Sequence, residues 1–515
     1  MKQIAHRLRT TRRHVKNAIR ELCTAGVVLI LAACGTKTQA VGIFGHSSDV
    51  GTAAKAGSAQ FLRDANEYRI TAGGANIWGT QDAFHFLWSN VSGDLSLTTK
   101  IQWVGEGKNP HRKAGWMVRQ GLAADAPYAD AVVHGDGLTS LQFRRIAGGP
   151  TEEVQSPISS PAFIRLERHA DVFCLYASTD GKAYQPIGSV CIPLQEPVHV
   201  GLIVCSHDDT TQETAVFSNA QMRSLGTFEM KDRVVESSLE TIAIGTGQRK
   251  LVYRSRSHFE APNWSPDGKA LLFNSSGRLY TIGLSGGQPK QLETGFADRC
   301  NNDHGFSPDG KLLAISHHLD GKSLVYVLAS GGGTPRLVTE LGPSYWHGWS
   351  PDGKTLAYCA ERNANFDIYT IAATGGTEIR LTDTAGLDDG PEYSPDGRYI
   401  YFNSERSGAM KIWRINSDGA EPVQITNDEG YADWFPHPSP DGKWIVFLSY
   451  DKSVTGHPAN KEVVLRLLPT AAGAKPRVIA RLFGGQGTIN VPSWSPDSSY
   501  IAFVSYRLVG NDARN

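Results

Sequence analysis

The chain has 515 residues and a formal net charge of zero, with 51 basic and 51 acidic side chains. This length suits two or more domains. A neutral chain lacks the basic excess on which binding to nucleic acid or to an anionic surface depends, so we expect no nucleic-acid partner. The seven cysteines form no Cys-x-x-Cys pair, which leaves zinc and dithiol redox chemistry without support in the sequence.

Residues 1–33 predict a signal peptide. A basic segment precedes an apolar run from 22 to 33, which is too short to span a bilayer. The run ends in Leu-Ala-Ala-Cys-Gly and resembles a bacterial lipobox, which implies lipidation of Cys34. We therefore expect an exported periplasmic or outer-membrane lipoprotein that touches the membrane only through its lipid anchor. The alternative is cleavage after Ala40, which would release a soluble secreted protein.

Residues 34–56 predict a flexible linker, because they are rich in small residues and have little periodicity. From 57 to 226, short runs of alternating apolar and polar residues predict an antiparallel β-sandwich. Phrases such as Lys-Ala-Gly-Trp-Met-Val-Arg at 113–119 resemble concanavalin/laminin-G-like jelly-roll modules. This resemblance implies a module that binds a glycan by aromatic stacking, or one that only packs beside its neighbour. The candidate tryptophans are Trp78, Trp88, Trp103 and Trp116, of which we expect glycine-flanked Trp78 to be exposed.

After a connector at 227–238, residues 239–510 carry one phrase six times. Variants of aromatic-Ser-Pro-Asp-Gly place their prolines at 266, 308, 351, 395, 440 and 496, at intervals of 42, 43, 44, 45 and 56 residues. Ser-Pro-Asp-Gly is turn chemistry, and strand patterns follow each copy. A repeat of this length built from short strands is typical of propeller blades. The phrase resembles the PD40 (WD40-like) repeats of TolB-type six-bladed β-propellers.

The sixth repeat ends after two strands, so its blade is incomplete in sequence order. Two strand patterns before the first repeat, at 241–244 and 250–253, have no blade of their own. If they complete the last blade, the ring closes and leaves no open sheet edge. The fold class that we expect is therefore all-β, with a jelly-roll-like β-sandwich followed by a six-bladed propeller.

Function is expected where the innermost strand of each blade leads into its Ser-Pro-Asp-Gly turn, near the mouth of the central channel. Three residues before the serine, proline stands in four copies, whereas His304 and His347 stand in the second and third. Neighbouring positions are polar or aromatic. The predicted binding residues are His304, His347, Trp346, Tyr345, Asn302, Asp303, Asp389, Glu392, Trp434, His437, Gln486 and Asn490. An insertion at 451–462 is expected to bring His457 and Asn460 to this mouth, or else only to cover a sheet edge.

One hypothesis places a divalent metal between His304 and His347, completed by a carboxylate or Gln486, because imidazole and carboxylate ligands suit Zn, Mn, Fe or Ni. Such a metal would support β-elimination on an acidic polysaccharide, or hydrolysis. Six-bladed oligogalacturonate lyases resemble this arrangement, but no motif is extended enough to transfer their catalytic residues. The alternative is that the histidines only form hydrogen bonds across blades or to a ligand.

The sequence thus favours recognition over catalysis. We expect a monomeric cell-envelope protein that binds a glycan or an envelope protein at the propeller mouth. A metal-dependent polysaccharide lyase or hydrolase that uses the same channel is the alternative. A purely structural scaffold is the third hypothesis, in which substitutions at His304 and His347 would change stability alone.

Overall fold

The computed structural model describes residues 40–511, so the predicted signal peptide and the lipidation site Cys34 lie outside the described residues. Within this range the chain consists of β-strands, connecting loops and one 3₁₀ turn at Met230–Asp232. The same range contains no helix that is long and apolar enough to cross a membrane. The five cysteines of this range are free thiols: Cys174, Cys191, Cys205, Cys300 and Cys359.

The first part of this range forms two antiparallel seven-stranded sheets, which we call the two-sheet domain. Its strands are β1 His46–Val50, β2 Ser58–Leu62, β3 Glu67–Ala72, β4 Ile77–Trp78, β5 Gln81–Asp82, β6 Phe84–Val91, β7 Asp94–Val104, β8 Lys113–Arg119, β9 Tyr128–His134, β10 Thr139–Arg144, β11 Thr151–Gln155, β12 Phe163–His169, β13 Val172–Ser178, β14 Gln185–Cys191, β15 Val198–Cys205 and β16 Glu213–Gly226. One sheet has the order β1-β6-β15-β8-β9-β10-β11, and the other has the order β14-β13-β12-β7-β16-β3-β2. The hairpin β4-β5 lies outside both sheets.

A single hydrophobic core joins the two sheets. Alternate residues of the strands, such as Trp116 on one sheet and Leu97 on the other, are fully buried in it. Trp88 is also buried, whereas Trp78 is 40% exposed, as its flanking glycines predict. The predicted linker at 34–56 is shorter than expected, because β1 pairs with β6 and so belongs to a sheet.

The second part is a six-bladed β-propeller. Its strands are β17 Arg233–Ala243, β18 Arg249–Ser255, β19 Glu260–Trp264, β20 Ala270–Ser275, β21 Arg278–Gly283, β22 Lys290–Gln291, β23 Cys300–Phe306, β24 Leu312–Leu319, β25 Lys322–Ala329, β26 Arg336–Leu337, β27 Ser344–Trp349, β28 Thr355–Arg362, β29 Asn365–Ala372, β30 Ile379–Arg380, β31 Asp388–Tyr393, β32 Tyr399–Ser404, β33 Lys411–Asn416, β34 Val423–Gln424, β35 Tyr431–Pro438, β36 Trp444–Asp451, β37 Lys461–Pro469, β38 Arg477–Gly484 and β39 Tyr500–Gly510. Blades one to five are consecutive four-stranded sheets that begin with β19, β23, β27, β31 and β35.

Blade six closes the ring with strands from both ends of the propeller sequence. Its sheet has the order β18-β17-β39, and a bridge from Trp494 to Ile501 adds the innermost segment. The pairing of β17 with β39 runs over eleven residue pairs, from Arg233 with Gly510 to Ala243 with Tyr500. The predicted completion of the last blade is therefore confirmed. Because β17 begins at Arg233, the connector predicted at 227–238 is partly strand.

The repeated phrase forms the same turn in every blade. Each serine hydroxyl donates a hydrogen bond to the aspartate carboxylate two residues later, as in Ser307 Oγ to Asp309 Oδ1 at 2.7 Å. The fifth position takes a left-handed conformation, at φ +70° in Gly310. In the sixth copy Ser498 adopts φ +61° without being glycine, so the turn survives the substitution.

The two-sheet domain packs against blades five and six. Its strand residues Val172, Cys174 and Tyr176 share a hydrophobic cluster with Leu239 and Phe483 of the propeller. Polar contacts surround this cluster: Arg145 forms two hydrogen bonds with Glu462, at 2.9 and 2.6 Å, and Arg507 donates to Glu167 at 2.7 Å. The two-sheet domain therefore packs against blade six, in which the ring closes.

Candidate functional site

A cavity of about 480 Å³ lies where the innermost strands of blades two to six begin. Seven of the twelve predicted binding residues line it: Asn302, Asp303, Tyr345, His347, Asp389, Gln486 and Asn490. Residues from separate blades therefore meet at one mouth of the channel, as the alignment of the repeats predicts. His457 from the inserted loop also lines the cavity, as expected.

Bulges in the innermost strands place these side chains. In blade three, the register between β27 and β28 shifts between Trp346 and Gly348, and blades four and five contain similar shifts. An extra residue bends a strand and redirects the side chains around it, which is a common device next to binding sites. In blade three the bulge falls at His347, which lines the cavity.

An ion pair between His347 and Asp389 forms one side of the cavity. Nε2 of His347 lies 3.2 Å from Oδ1 of Asp389, and both side chains are largely buried. Burial lowers the pKa of His347, but the nearby carboxylates of Asp303 and Asp389 outweigh it and raise this pKa above its ordinary value. Burial raises the pKa of Asp389, but the hydrogen bond and charge of His347 dominate and lower it to about 2. Each member of the pair therefore favours the charged form of the other, imidazolium and carboxylate.

Asp303 is the second carboxyl group of the cavity, and its pKa is shifted in the opposite direction from that of Asp389. Burial, opposed by His347 and reinforced by the charge of Asp389, raises the pKa of Asp303 to about 7. Its Oδ2 accepts a hydrogen bond from Asn301 Nδ2 at 2.7 Å. Within residues 40–511, Oδ1 of Asp303 has no hydrogen-bond partner, although the side chain is almost wholly buried. A perturbed carboxyl group with an unused oxygen in a cavity is typical of a functional site.

The opposite side of the cavity is a network of amides and the inserted loop. Gln486 Oε1 is hydrogen-bonded to His457 Nδ1 and also accepts from Asn490 Nδ2 at 3.2 Å. The His457 ring packs edge-on against Trp434, with centroids 4.5 Å apart. The loop is therefore held over the channel by both polar and aromatic contacts.

A second group of lining residues carries no signal in the repeat alignment, because its members are mostly apolar or lie on second strands. They are Asn301, His318, Cys359, Phe366, Leu387 and Phe435. Phe435 stacks over His347, with centroids 6.2 Å apart and an interplanar angle of 18°. Phe435 has φ +54°, which is rare for a bulky residue and is one of the strained positions that cluster at functional sites. Nothing in the sequence of this phenylalanine signals its conformation.

Five predicted residues lie away from this cavity. Trp346 and Trp434 are buried in the packing between strands, with at most 1% of their surface exposed. Glu392 and His437 form a buried pair, with Oε2 2.6 Å from Nδ1, and Glu392 lines the channel's other opening among the Ser-Pro-Asp-Gly turns. His304 is fully buried, and burial lowers its pKa to about 4, so its ring is neutral.

His304 and His347, between which the sequence suggests a metal, do not both face the cavity, because His347 lines it and His304 does not. In blade two, the five residues from Cys300 to His304 lie opposite only three on β24, from His317 to Ile315, so this bulge holds two extra residues. Blade three has one extra residue, so the two histidines point differently although they align in sequence. Residues 40–511 hold no group of three or more His, Cys, Asp or Glu side chains placed to bind a metal ion.

Comparison with known proteins identifies the propeller. A family model described as the TolB beta propeller domain, PD40, matches residues 342–476. An uncharacterised protein of Agrobacterium fabrum is 53% identical over 274 residues, which make up 53% of this chain and 93% of that protein. The solved structure of a putative TolB from Agrobacterium tumefaciens is also 53% identical, with a TM-score of 0.51. The matched region makes up 53% of this chain and 98% of that chain. The crystal structure of TolB from Acinetobacter baumannii is 17% identical, with a TM-score of 0.40. The matched region makes up 63% of this chain and 77% of that chain.

Proposed function

Because the chain belongs to the family of TolB-type β-propeller proteins, we propose that it is an exported binding protein that recognises a glycan at the mouth of its propeller channel. The observation that carries this proposal is the cavity between blades two and six, with its buried ion pair, amide network and aromatic wall. A largely buried ion pair beside a carboxyl oxygen that is open to the cavity suits the binding of a polar ligand.

The cavity matches one or two sugar rings in size and chemistry. Its volume of about 480 Å³ falls in the range of small-molecule sites, roughly 300–1,000 Å³. The carboxylates of Asp303 and Asp389 and the amides of Asn302 and Asn490 offer acceptors and donors for hydroxyl groups. Tyr345, Phe366 and Phe435 supply apolar surface for the faces of the rings.

An envelope protein is the other partner that the sequence suggested. A stable protein–protein interface buries about 800 Å² on each partner, which needs a broad surface around the mouth rather than a cavity of this size. The dimensions of the site therefore favour the glycan.

The lyase alternative has less support from the same side chains. The cavity lining includes no lysine or arginine to meet the carboxylates of a uronic-acid polymer, and it presents two carboxylates of its own. Metal-assisted elimination also needs ligands that the described range does not bring together.

We also propose that the two-sheet domain is a concanavalin-like module. Its contact with blades five and six through Arg145 and Arg507 supports a role in bracing the propeller. Of the four tryptophans named in the sequence analysis, Trp78 on the hairpin β4-β5 is the most exposed, so we propose it as the candidate for stacking on a sugar. We propose that acylation at Cys34 anchors the exported protein at the envelope, and membrane fractionation of Cys34→Ser against the wild type tests this anchoring.

Calorimetric titration with a panel of oligosaccharides tests the function. The double variant His347→Gln/Asp389→Asn removes both charges of the pair and keeps neutral groups of similar size, so it should fold. We expect it to weaken binding by about tenfold or more, while Trp78→Ala binds as the wild type does. Loss of binding in Trp78→Ala alone would move the site to the two-sheet domain. Stoichiometric metal together with turnover of uronic-acid polymers would overturn recognition in favour of the enzyme.

A further inference from the structure

We propose that the cavity selects an amino sugar, a glycan unit that carries a free primary ammonium group, and holds this group against Asp303 beside Asp389. The inference rests on the proposed function, since it names the class of glycan that the same site takes. It follows from the balance of charges, the unused acceptor and the aromatic wall of the cavity.

The balance of charges favours a cation. Asp303 and Asp389 line the cavity together with one imidazolium, His347, which is already paired with Asp389. The lining contains no lysine or arginine, and its other ionisable groups are His318, His457, Tyr345 and Cys359. Asp303 therefore has no cationic side chain bonded to it among residues 40–511, and once Asp303 is ionised, a ligand that brings one positive charge would neutralise the site.

The unused acceptor gives this charge a location. Asp303 is only 4% exposed, and Asn301 engages Oδ2, which leaves Oδ1 without a partner in the described range. This oxygen is not among the enclosed atoms of residues 40–511 that lack a partner, so it is open to the cavity, where a donor from a ligand can reach it. An ammonium group can donate up to three hydrogen bonds and would also form a charge-assisted bond with this oxygen, whereas a neutral hydroxyl donates one weaker bond.

The aromatic wall also suits a cation. Tyr345, Phe366 and Phe435 line the same cavity, and Phe435 is held in its left-handed conformation by a hydrogen bond from its N–H to Asn403 Oδ1 at 3.0 Å. Aromatic rings attract cations through their quadrupoles, most strongly in sites shielded from water. The same rings accept the apolar face of a sugar, so one wall serves both parts of an amino sugar.

A matched series of oligosaccharides tests the proposal on the full chain. Cello-oligosaccharides, chitin oligosaccharides and chitosan oligosaccharides share one β-1,4-linked backbone, and they carry a hydroxyl, an acetamide and an ammonium group at carbon 2. We expect the chitosan tetramer to bind about tenfold or more tightly than the other two tetramers in calorimetric titration. This preference should shrink severalfold in Asp303→Asn and persist in Asp383→Asn, which removes an exposed carboxylate outside the lining.

The outcomes separate the two proposals. Equal affinity for all three tetramers would overturn the ammonium preference and leave glycan recognition standing. Binding of none of the tetramers would overturn both proposals. A lysine-containing peptide that binds more tightly than the chitosan tetramer would assign the ammonium to a protein and overturn the amino sugar. An unchanged chitosan preference in folded Asp303→Asn would remove Asp303 from the site.

Discussion

Replacing Asp303 with asparagine is expected to stabilise the protein at neutral and higher pH, although it damages the site. The pKa of this carboxyl is 3.8 in an exposed peptide and about 7 in the folded protein, chiefly because of burial. Between these two values the folded state binds a proton that the unfolded state has released. The free energy of unfolding therefore falls as pH rises through this window, and the loss is complete above pH 7.

The size of the effect follows from the two pKa values. A carboxyl that ionises at 3.8 when unfolded and at about 7 when folded lowers the free energy of unfolding by about 4 kcal/mol once both states are ionised. Asparagine cannot ionise, and its side-chain oxygen can still accept the hydrogen bond from Asn301. We expect Asp303→Asn to match the wild type at about pH 4 and to exceed its free energy of unfolding by about 2–4 kcal/mol at about pH 8.

Urea unfolding at a series of pH values measures this difference directly. The control is Asp383→Asn, which removes an exposed carboxylate and should follow the wild type at every pH. If Asp303→Asn gains less than about 1 kcal/mol at about pH 8, or gains equally at both pH values, burial does not perturb this carboxyl and the electrostatic description of the cavity is wrong.

Three further substitutions test the fold and the loop. Arg507→Met should lower the free energy of unfolding by about 2 kcal/mol in urea titrations, because it removes the cation nearest to Glu167 and Glu236 and leaves them the longer pairs with Arg165, at 3.8 Å, and Arg254, at 3.5 Å. Exposed Arg223→Met is the control, and equal stability of the two variants would refute the interdomain ion pair. Gly305→Ala should lower the free energy of unfolding by about 1–3 kcal/mol, because the added Cβ would stand 2.2 Å from Cη2 of Trp346. Gly331→Ala is the control, since its Cβ would meet nothing within 4 Å, and an unchanged Tm in Gly305→Ala would contradict this packing. His457→Ala should weaken oligosaccharide binding about fivefold and lower the free energy of unfolding by no more than about 1 kcal/mol. His111→Ala is the control, and wild-type affinity in His457→Ala would show that the inserted loop takes no part in binding.

The architecture of the propeller was predictable because its information is local and repeated. Each Ser-Pro-Asp-Gly turn contains its own hydrogen bonds, and six copies at a near-constant interval leave few alternatives to a ring of blades. The completion of blade six by β17 and β18 could also be inferred, since an open blade would leave an unpaired edge. Strand β1 was missed because its five residues, His-Ser-Ser-Asp-Val, show no apolar alternation.

The binding site was only partly predictable, because side-chain direction depends on bulges that no motif announces. Tyr345 and His347 face the cavity, while Trp346 between them points into the sheet packing, as the two-residue period of a strand requires. The larger bulge of blade two brings Asp303 into the cavity and turns His304 away. The alignment of the repeats therefore located the mouth of the channel but could not determine which side chains face it.

A crystal structure of the protein with a bound chitosan tetramer tests the central claim most directly. Our account predicts the sugar in the cavity between blades two and six, with its amino nitrogen within hydrogen-bonding distance of Asp303 Oδ1 and a ring against Phe435. A tetramer bound only at Trp78 on the two-sheet domain, with the cavity empty, would contradict the assignment of the site to the propeller.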